Sequence, residues 1–348
     1  RGGGGPGGAP GQIKAGSAAA AAAEGAATPT PSPPQSVHSK AAVVRVLVTA
    51  DFGQAEPDLA VDVTETNLGS LGTAARLAQE AGDHGLLITA GDLAYGRGYP
   101  AVWDVFMNQF EPAASRLPWM VAPGNQERDW PGSGDRFNAT PDSGGECGVV
   151  YEQRYAMPQP GRDRQWYSFD YGHVHFLMYS TEHMTSPGSP QYAFIAADLA
   201  AVDRSVAPWL VLVGHRPWYL SSSHNVPPDG DQDVAASLRS DLEELALQYK
   251  VDLTVHGHHH AYQRSCPLVR GQCVGYDARG RAQGPVHVIT GNGGAGLTLE
   301  FQSPPPPWLE AAYIWWGYTR LEASATTLVL QSVSNADGRV VDSVVLRK

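Results

Sequence analysis

Short apolar runs that end abruptly in a polar residue recur along the chain, and they constrain its fold more than any other feature. The run 43–48 leads into Asp51, and the run 86–90 leads into Asp92. A helical pattern over 68–81 separates the two runs, so the order strand, helix, strand predicts a right-handed parallel crossover. Because parallel strands bring their carboxyl ends to one edge of a sheet, we expect these two carboxylates to lie close together.

Three later apolar runs end in the same way and deliver oxygen or nitrogen donors. The runs 119–122, 209–213 and 251–255 are followed by Asn125, by His215, and by the pair His258 and His260, respectively. Tyr95 adds a phenol shortly after Asp92. A donor set of carboxylate, phenol, amide and imidazole without cysteine suits a pair of borderline-to-hard metals better than structural zinc. The sequence therefore predicts a catalytic metal centre formed by Asp51, Asp92, Tyr95, Asn125, His215, His258 and His260.

Histidine spacing alone is a weak signal in this chain. In an extended segment the side chains of His258 and His260 would project to one side, and His259 would point away. His173 and His175 have the same spacing, but they lie at the start of a strand in a predicted hairpin with no acidic partner at hand. We interpret that second pair as structural. Four other histidines also lack metal-like spacing: His38, His84, His256 and His287.

Composition and charge limit the partners of the protein. The chain has 348 residues, 42% hydrophobic content and a net charge of −11, from 24 basic and 35 acidic residues. An excess of acid without any basic block argues against a nucleic acid as the main partner. No apolar run approaches the ~18 residues that a membrane span requires. We expect one large catalytic domain over 41–348 with no membrane partner; a homodimer stays open.

Other segments bear on the compartment. Residues 1–40 are dominated by Gly, Ala and Pro, which predicts a disordered leader or linker, and they do not open like a signal peptide. Cys266 and Cys273 enclose a short segment with Pro and Gly, which favours a small disulfide loop over two free core cysteines. Asn138 begins a triplet that fits a glycosylation sequon. These features favour a secretory route, so we expect a secreted or vacuolar glycoprotein.

Five ordered blocks of the sequence resemble the signature of a known family. The blocks are Asp51-Phe52-Gly53, Gly91-Asp92-Leu93-Ala94-Tyr95, Gly124-Asn125-Gln126-Glu127, Gly214-His215 and Gly257-His258-His259-His260. Together they are similar to the purple acid phosphatases, within the calcineurin-like metallophosphoesterases. The resemblance runs from about residue 43 to the C-terminus. It implies an α/β fold, a four-layer αββα sandwich of two mixed sheets, without the N-terminal fibronectin-like domain of the plant enzymes.

The resemblance also implies a role for each predicted ligand. Three would bind a ferric ion: Asp51, Tyr95 and His260. Three would bind a divalent partner, zinc, manganese or iron: Asn125, His215 and His258. Asp92 would bridge the two ions. Two neighbouring cations bind phosphate oxygens, neutralise developing charge and lower the pKa of bound water, so that hydroxide attacks phosphorus in line.

One block departs from the family pattern. The third block usually has a His where Gln126 stands, and that His contacts substrate phosphate and helps to protonate the leaving group. Gln126 can donate a hydrogen bond but no proton. His224 matches another substrate-contacting His and is the best candidate for the general acid, while Asn125 and Gln126 are expected to bind substrate and Asp92 to be catalytic. Loss of one acid–base group costs ~10²-fold or more in rate.

The resemblance implies a binuclear acid phosphatase that hydrolyses phosphate monoesters and anhydrides. Two alternatives stay open. The chain could be a phosphodiesterase or nucleotide pyrophosphatase of the same superfamily. Because Gln126 replaces the usual His, it could also be a pseudoenzyme that binds metal and phosphate without turnover.

Overall fold

The computed structural model describes residues 43–58, 66–128, 142–221 and 231–348. Three expectations fall outside these ranges: the leader over 1–40, the sequon at Asn138, and the candidate general acid His224. Within the described ranges, no helix combines the length and the apolar character needed to cross a membrane.

The helices and strands alternate along much of the described chain. The helices are α1 (Gly69–Glu80), α2 (Pro100–Ala114), α3 (Val149–Arg154), α4 (Pro190–Ala201) and α5 (Asp231–Gln248). The strands are β1 (Val44–Thr49), β2 (Leu86–Ala90), β3 (Trp119–Ala122), β4 (Tyr167–Tyr171), β5 (Val174–Met178), β6 (Trp209–Val213), β7 (Leu253–His256), β8 (Tyr262–Ser265), β9 (Leu268–Val269), β10 (Gln272–Cys273), β11 (Val286–Thr290), β12 (Leu309–Tyr313), β13 (Gly317–Ala323), β14 (Thr327–Ser334) and β15 (Val340–Arg347).

Two mixed sheets contain most of these strands. The first has the order β15-β14-β13-β1-β2-β3, in which β1, β2 and β3 are parallel and β13, β14 and β15 continue the sheet by antiparallel pairing. The second has the order β12-β8-β11-β7-β6-β5-β4. Its strands β5, β6, β7 and β11 are parallel, and antiparallel strands flank them on both sides.

Three apolar clusters hold these elements in four layers. Between the sheets, Val48 of β1 packs in one cluster with Val211 of β6. On the outer side of the first sheet, Leu47 joins a cluster with α1 and α2, and on the outer side of the second, Leu212 joins one with α4 and α5. Neighbouring strand residues therefore face opposite apolar layers, which explains why the strands read as continuous apolar runs. The predicted αββα sandwich is confirmed.

Several local predictions are confirmed, and the short strands were missed. The helix predicted over 68–81 is α1, and β1 and β2 form the parallel pair expected on either side of it. Cys266 and Cys273 form the predicted disulfide. The strands β8, β9, β10 and β12 were not predicted, because runs of two to five residues around turns give little periodicity.

The expectation that His173 and His175 lack acidic partners is wrong for His175. Its Nδ1 lies 2.7 Å from Asp170 Oδ1 and its Nε2 lies 2.9 Å from Asp198 Oδ2. Asp170 is its cross-strand partner in the β4–β5 hairpin, and Asp198 approaches from α4. Burial lowers the pKa of His175, but the two carboxylates outweigh it and raise that pKa to about 9.

We predict that His175→Gln destabilises the fold in a pH-dependent way. The folded-state pKa is raised above the ordinary value of 6.5, so the stabilisation is fully present below about pH 6.5 and is lost as the pH rises through about 9. Urea denaturation should therefore show that the free energy of unfolding of the variant is about 2–3 kcal/mol lower than that of wild-type protein at pH 6. The difference should be much smaller at pH 10. His173→Gln, in the same hairpin, is the control. An equal loss at both pH values would contradict the charge-based account.

Candidate metal centre

All seven predicted ligands follow the carboxyl ends of five strands, but these strands belong to two sheets. Asp51, Asp92 and Asn125 follow β1, β2 and β3 of the first sheet, whereas His215 and the segment 257–260 follow β6 and β7 of the second. The sequence pattern suggested one sheet edge. The structure instead brings the carboxyl ends of two facing sheets together, so the donors approach one another from both sides.

Left-handed backbone turns direct these side chains inward. The φ angles are +57° at Asp51, +53° at Asp92, +56° at Tyr95 and +69° at His258. Non-glycine residues rarely adopt this conformation, and it concentrates at functional sites where surrounding contacts enforce it. The prediction that the segment 257–260 is extended is wrong, because the chain turns at His258. The expectation for the side chains fails as well, because His258 and His259 both contact Asp231, whereas His260 contacts Tyr95 and Asp51.

The first donor group surrounds the imidazole of His215. Its Nδ1 donates to the carbonyl oxygen of Ala90 at 2.9 Å, so the lone pair of the ring is on Nε2. That Nε2 lies 3.2 Å from Asp92 Oδ2 and 3.0 Å from Asn125 Oδ1. It also lies 3.3 Å from Nδ1 of His258. The ligand atoms of Asp92, His215 and His258 all lie within 4.8 Å of one another.

The second donor group surrounds the imidazole of His260. Its Nδ1 donates to the carbonyl oxygen of Gly296 at 2.6 Å, which again leaves the lone pair on Nε2. That Nε2 is 3.0 Å from the phenol oxygen of Tyr95 and 3.4 Å from Asp51 Oδ1. The other oxygen of Asp51, Oδ2, accepts the backbone N–H of His258 at 2.8 Å, which ties the two groups together.

The electrostatics of the first group indicate a cation site. Burial lowers the pKa of His215, but the carboxylates of Asp92 and Asp51 raise it to about 10. Burial raises the pKa of Asp92, yet the net effect of His215 and the backbone N–H of Gln126 is to lower it to about 2. The cluster therefore attracts positive charge strongly, and a proton on His215 competes with a metal ion for the same lone pair. Lone-pair atoms that converge in this way fit a pair of metal ions.

Glu127 is a buried carboxylate that orders two of the strand-end turns, and the sequence analysis gave it no role. One of its oxygens accepts the backbone N–H groups of Asp92 and Gly124 at 2.9 Å each, and the other accepts that of Leu93 at 2.8 Å. It thereby fixes the residues after β2 relative to those after β3. Burial and the neighbouring Asp92 raise the pKa of Glu127 to about 8. A cation held by Asp92 would offset that second cause.

Asp231, the first residue of α5, holds two histidines of the segment 257–260. Its Oδ1 is 3.0 Å from His258 Nε2, and its Oδ2 is 2.9 Å from His259 Nε2. With Nε2 of His258 engaged there, Nδ1 is the ring atom that faces His215. A carboxylate that orients a ligand His in this manner is a common feature of metal sites. Sequence reasoning missed Asp231 because nothing in its local sequence distinguishes it from other helix N-terminal acids.

Of the three predicted substrate-binding residues, the structure describes Asn125 and Gln126, and both lie at the first donor group. Asn125 donates its side-chain N–H to Asp142 Oδ2 at 3.0 Å, which leaves its Oδ1 directed at His215. Gln126 donates its backbone N–H to Asp92 Oδ1 at 2.9 Å. The guanidinium Nε of Arg97 lies 3.5 Å from the side-chain oxygen of Gln126, so an arginine stands next to this position.

Comparison with known proteins agrees with this architecture. Residues 44–262 match the calcineurin-like phosphoesterase family, and residues 284–343 match a family described as iron/zinc purple acid phosphatase-like protein C. A barley (Hordeum vulgare) protein named nucleotide pyrophosphatase/phosphodiesterase is 36% identical, over 87% of this chain and 83% of that protein. An Arabidopsis thaliana protein named probable inactive purple acid phosphatase 1 is 36% identical, over 88% of this chain and 50% of that protein.

A solved structure shares the fold at the same level of identity. The purple acid phosphatase PPD1 from yellow lupin (Lupinus luteus) seeds superposes with a TM-score of 0.82 and 36% identity, over 88% of this chain and 54% of that one. The chain thus spans about half the length of the lupin and Arabidopsis proteins. It belongs to the calcineurin-like phosphoesterases, in their purple acid phosphatase branch. This family implies a binuclear metal centre.

We predict that Asp231→Ala weakens metal binding at the first donor group. Loss of the carboxylate frees the ring of His258, and removal of such a partner typically costs 10–100-fold in metal affinity. Competition with a chromophoric chelator should show that one metal ion per chain binds more weakly than in wild-type protein. Asp233→Ala, an exposed acid in the same helical turn, is the control and should retain affinity. Unchanged affinity in Asp231→Ala would show that this carboxylate does not position the ligand.

Proposed function

We propose that the chain is a binuclear metallohydrolase that acts as an acid phosphatase on phosphate monoesters and anhydrides. The observation that carries this proposal is the convergence of two lone-pair groups, one around His215 and one around His260, with Asp92 close to both. Asp92 lies 3.2 Å from His215. Burial lowers the pKa of His260, but Asp51, and to a smaller extent Asp92, raise it. A carboxylate in this position has the two oxygens needed to bridge a pair of ions.

We assign the ferric ion to Asp51, Tyr95 and His260, and a divalent zinc, manganese or iron to Asn125, His215 and His258, with Asp92 as the bridge. The donor types support this division. The ferric group contains the carboxylate and the phenol, which are hard donors, whereas the divalent group contains an amide and two imidazoles. Bound there, two ions supply neutralisation of phosphate charge and activation of water.

The residues around Gln126 provide charge and hydrogen bonding but no proton. The Gln126 amide can donate a hydrogen bond to a phosphate oxygen, and Arg97 brings a permanent positive charge to the same place. A poor leaving group must therefore be protonated from elsewhere, and we propose His224 for that role.

We predict that Gln126→His changes substrate preference rather than overall activity. Wild-type protein should favour p-nitrophenyl phosphate strongly over glycerol phosphate, because nitrophenolate departs without a proton. Gln126→His should raise kcat/KM on glycerol phosphate by about 10²-fold and change p-nitrophenyl phosphate much less. His224→Asn tests the complementary role and should depress the glycerol phosphate rate selectively. Equal effects of Gln126→His on both substrates would argue against a missing proton donor.

A second candidate function is hydrolysis of phosphodiester or pyrophosphate bonds in nucleotides. The name of the barley relative, which the chain covers for 83% of its length, supports it. The chemistry around Gln126 also favours it, because a phosphate leaving group needs no proton from the enzyme. Comparison of kcat/KM for p-nitrophenyl phosphate, bis-p-nitrophenyl phosphate and a nucleoside diphosphate decides which substrate class is preferred.

The third candidate, a pseudoenzyme, is supported by the Arabidopsis relative named probable inactive and by Gln126 itself. It requires phosphate binding by the fully metallated protein without turnover. Fully metallated wild-type protein that binds phosphate but leaves all three test substrates intact would favour this candidate over both enzymes.

We predict that Asp92→Asn loses metal and hydrolysis together. An amide cannot supply two anionic oxygens to a pair of ions, so both ions should be weakened. Metal content by mass spectrometry and turnover of p-nitrophenyl phosphate should fall in parallel. Asp83→Asn, an exposed acid in the turn after α1, is the control. Full turnover in Asp92→Asn would refute the proposed metal centre.

We also propose a secretory location, and the Cys266–Cys273 disulfide supports it because disulfides persist in oxidising compartments. Secretion to the exterior or to a vacuole, glycosylation at Asn138, and homodimer formation remain predictions. Small phosphorylated molecules are the partners that the proposed chemistry requires.

A further inference from the structure

A cavity of about 640 Å³ lies at the amino-terminal ends of the parallel strands in the second sheet. Trp209 at the start of β6, Asp252 just before β7 and Pro285 just before β11 contribute to its wall. The metal centre follows the opposite, carboxyl ends of β6 and β7. Because a strand of five residues spans roughly 17 Å, the cavity is separate from that centre.

Positive charge dominates the wall of this cavity, although the chain carries a net charge of −11. Asp252 is the one acid among the residues that line it. The lining cations are Arg204, Lys250, Arg270, Arg281, Arg347 and Lys348. A concentration of cations in a concave surface raises the local concentration of anions.

Nearby acids neutralise this charge only in part. Asp252 is shared, since it contacts Arg204 at 2.7 Å and also the ammonium of Lys348. Two exposed pairs account for two more cations: Arg281 with Asp277 and Arg270 with Glu244. These three side-chain carboxylates pair with four of the six cations, so that among the described residues Lys250 and Arg347 are the lining cations without an ion pair.

Some cationic side chains in the cavity wall also have donor groups without a partner among the described residues. The Nη1 atom of Arg204 is buried and has no hydrogen-bond partner among the described residues, while its Nη2 contacts Asp252. Lys250 and Arg347 have no ion pair within the described part of the chain. Lys250 and Arg347 are both exposed, so their donors are free to make charge-assisted hydrogen bonds to an anion in the cavity.

We propose that this cavity binds a small, multiply charged phosphate anion such as inorganic pyrophosphate. Lys250 and Arg347, which lack ion pairs among the described residues, can neutralise part of the charge of such an anion, and arginine is well suited to phosphate oxygens. The Trp209 ring is buried, and the ammonium of Lys348 covers it at 4.4 Å, so it offers no open face on which a nucleobase could stack. The cavity would therefore recognise the phosphate group rather than a nucleobase. This site is independent of the hydrolytic function proposed above.

The test is calorimetric binding of inorganic pyrophosphate to metal-stripped Asp92→Asn protein, which removes hydrolysis and metal-mediated binding. This protein, in which the cavity residues are unchanged, should bind one pyrophosphate per chain. A double variant, Lys250→Gly with Arg347→Gln, should weaken binding by tenfold or more, because each removes a charge-assisted contact. Lys250 has φ of +54°, a conformation that glycine adopts more readily, so this variant should preserve the fold.

The matched control is Arg116→Gln with Arg339→Gln, which changes the net charge equally at sites away from the cavity. The control should bind pyrophosphate like its parent. Absence of pyrophosphate binding at 0.15 M salt would overturn the proposal, and so would an equal loss of affinity in the double variant and the control. Retained binding in the double variant would place the anion elsewhere and also overturn it.

Discussion

Lone-pair atoms from two facing sheets converge at one place in this structure, and the turns around that place are arranged to hold them there. His215 and His260 each use Nδ1 to donate to a backbone carbonyl, so that Nε2 faces the other donors. Glu127 and Asp231 then hold the neighbouring turns and the ring of His258. Buried donor atoms that face one another at such short distances are unfavourable unless a positive charge lies between them. The contacts of Glu127 and Asp231 hold the surrounding residues in this arrangement. The sandwich brings five strand ends close enough for it to form.

The departure at Gln126 changes what the site can do rather than whether it forms. The position keeps its backbone hydrogen bond to Asp92, so its structural role is retained. The imidazole that would donate a proton is absent, and Arg97 provides charge instead. Under the function proposed above, this combination would suit phosphate groups whose leaving group departs as a stable anion, such as anhydrides and aryl esters. Gln126 in place of the usual His would therefore influence which class of phosphate substrate is preferred.

Much of the fold and the positions of the candidate ligands could be predicted from sequence, because buried strands and the polar residues after them are local signals. Contacts across the chain could not. Asp231 reaches His258 only because α5 begins beside the segment after β7, and His175 meets Asp198 only because α4 packs on β5. The turn at His258 was also missed, because a positive φ at a non-glycine residue is enforced by tertiary contacts.

The measurement that most directly tests the central claim is the metal content of reconstituted protein, read together with its visible absorption. We expect two metal ions per chain when iron and zinc are supplied. We also expect a visible phenolate-to-iron band that Tyr95→Phe abolishes while the fold is retained. One ion or none per chain, or a band that persists in Tyr95→Phe, would contradict the assignment of a binuclear centre to these strand ends.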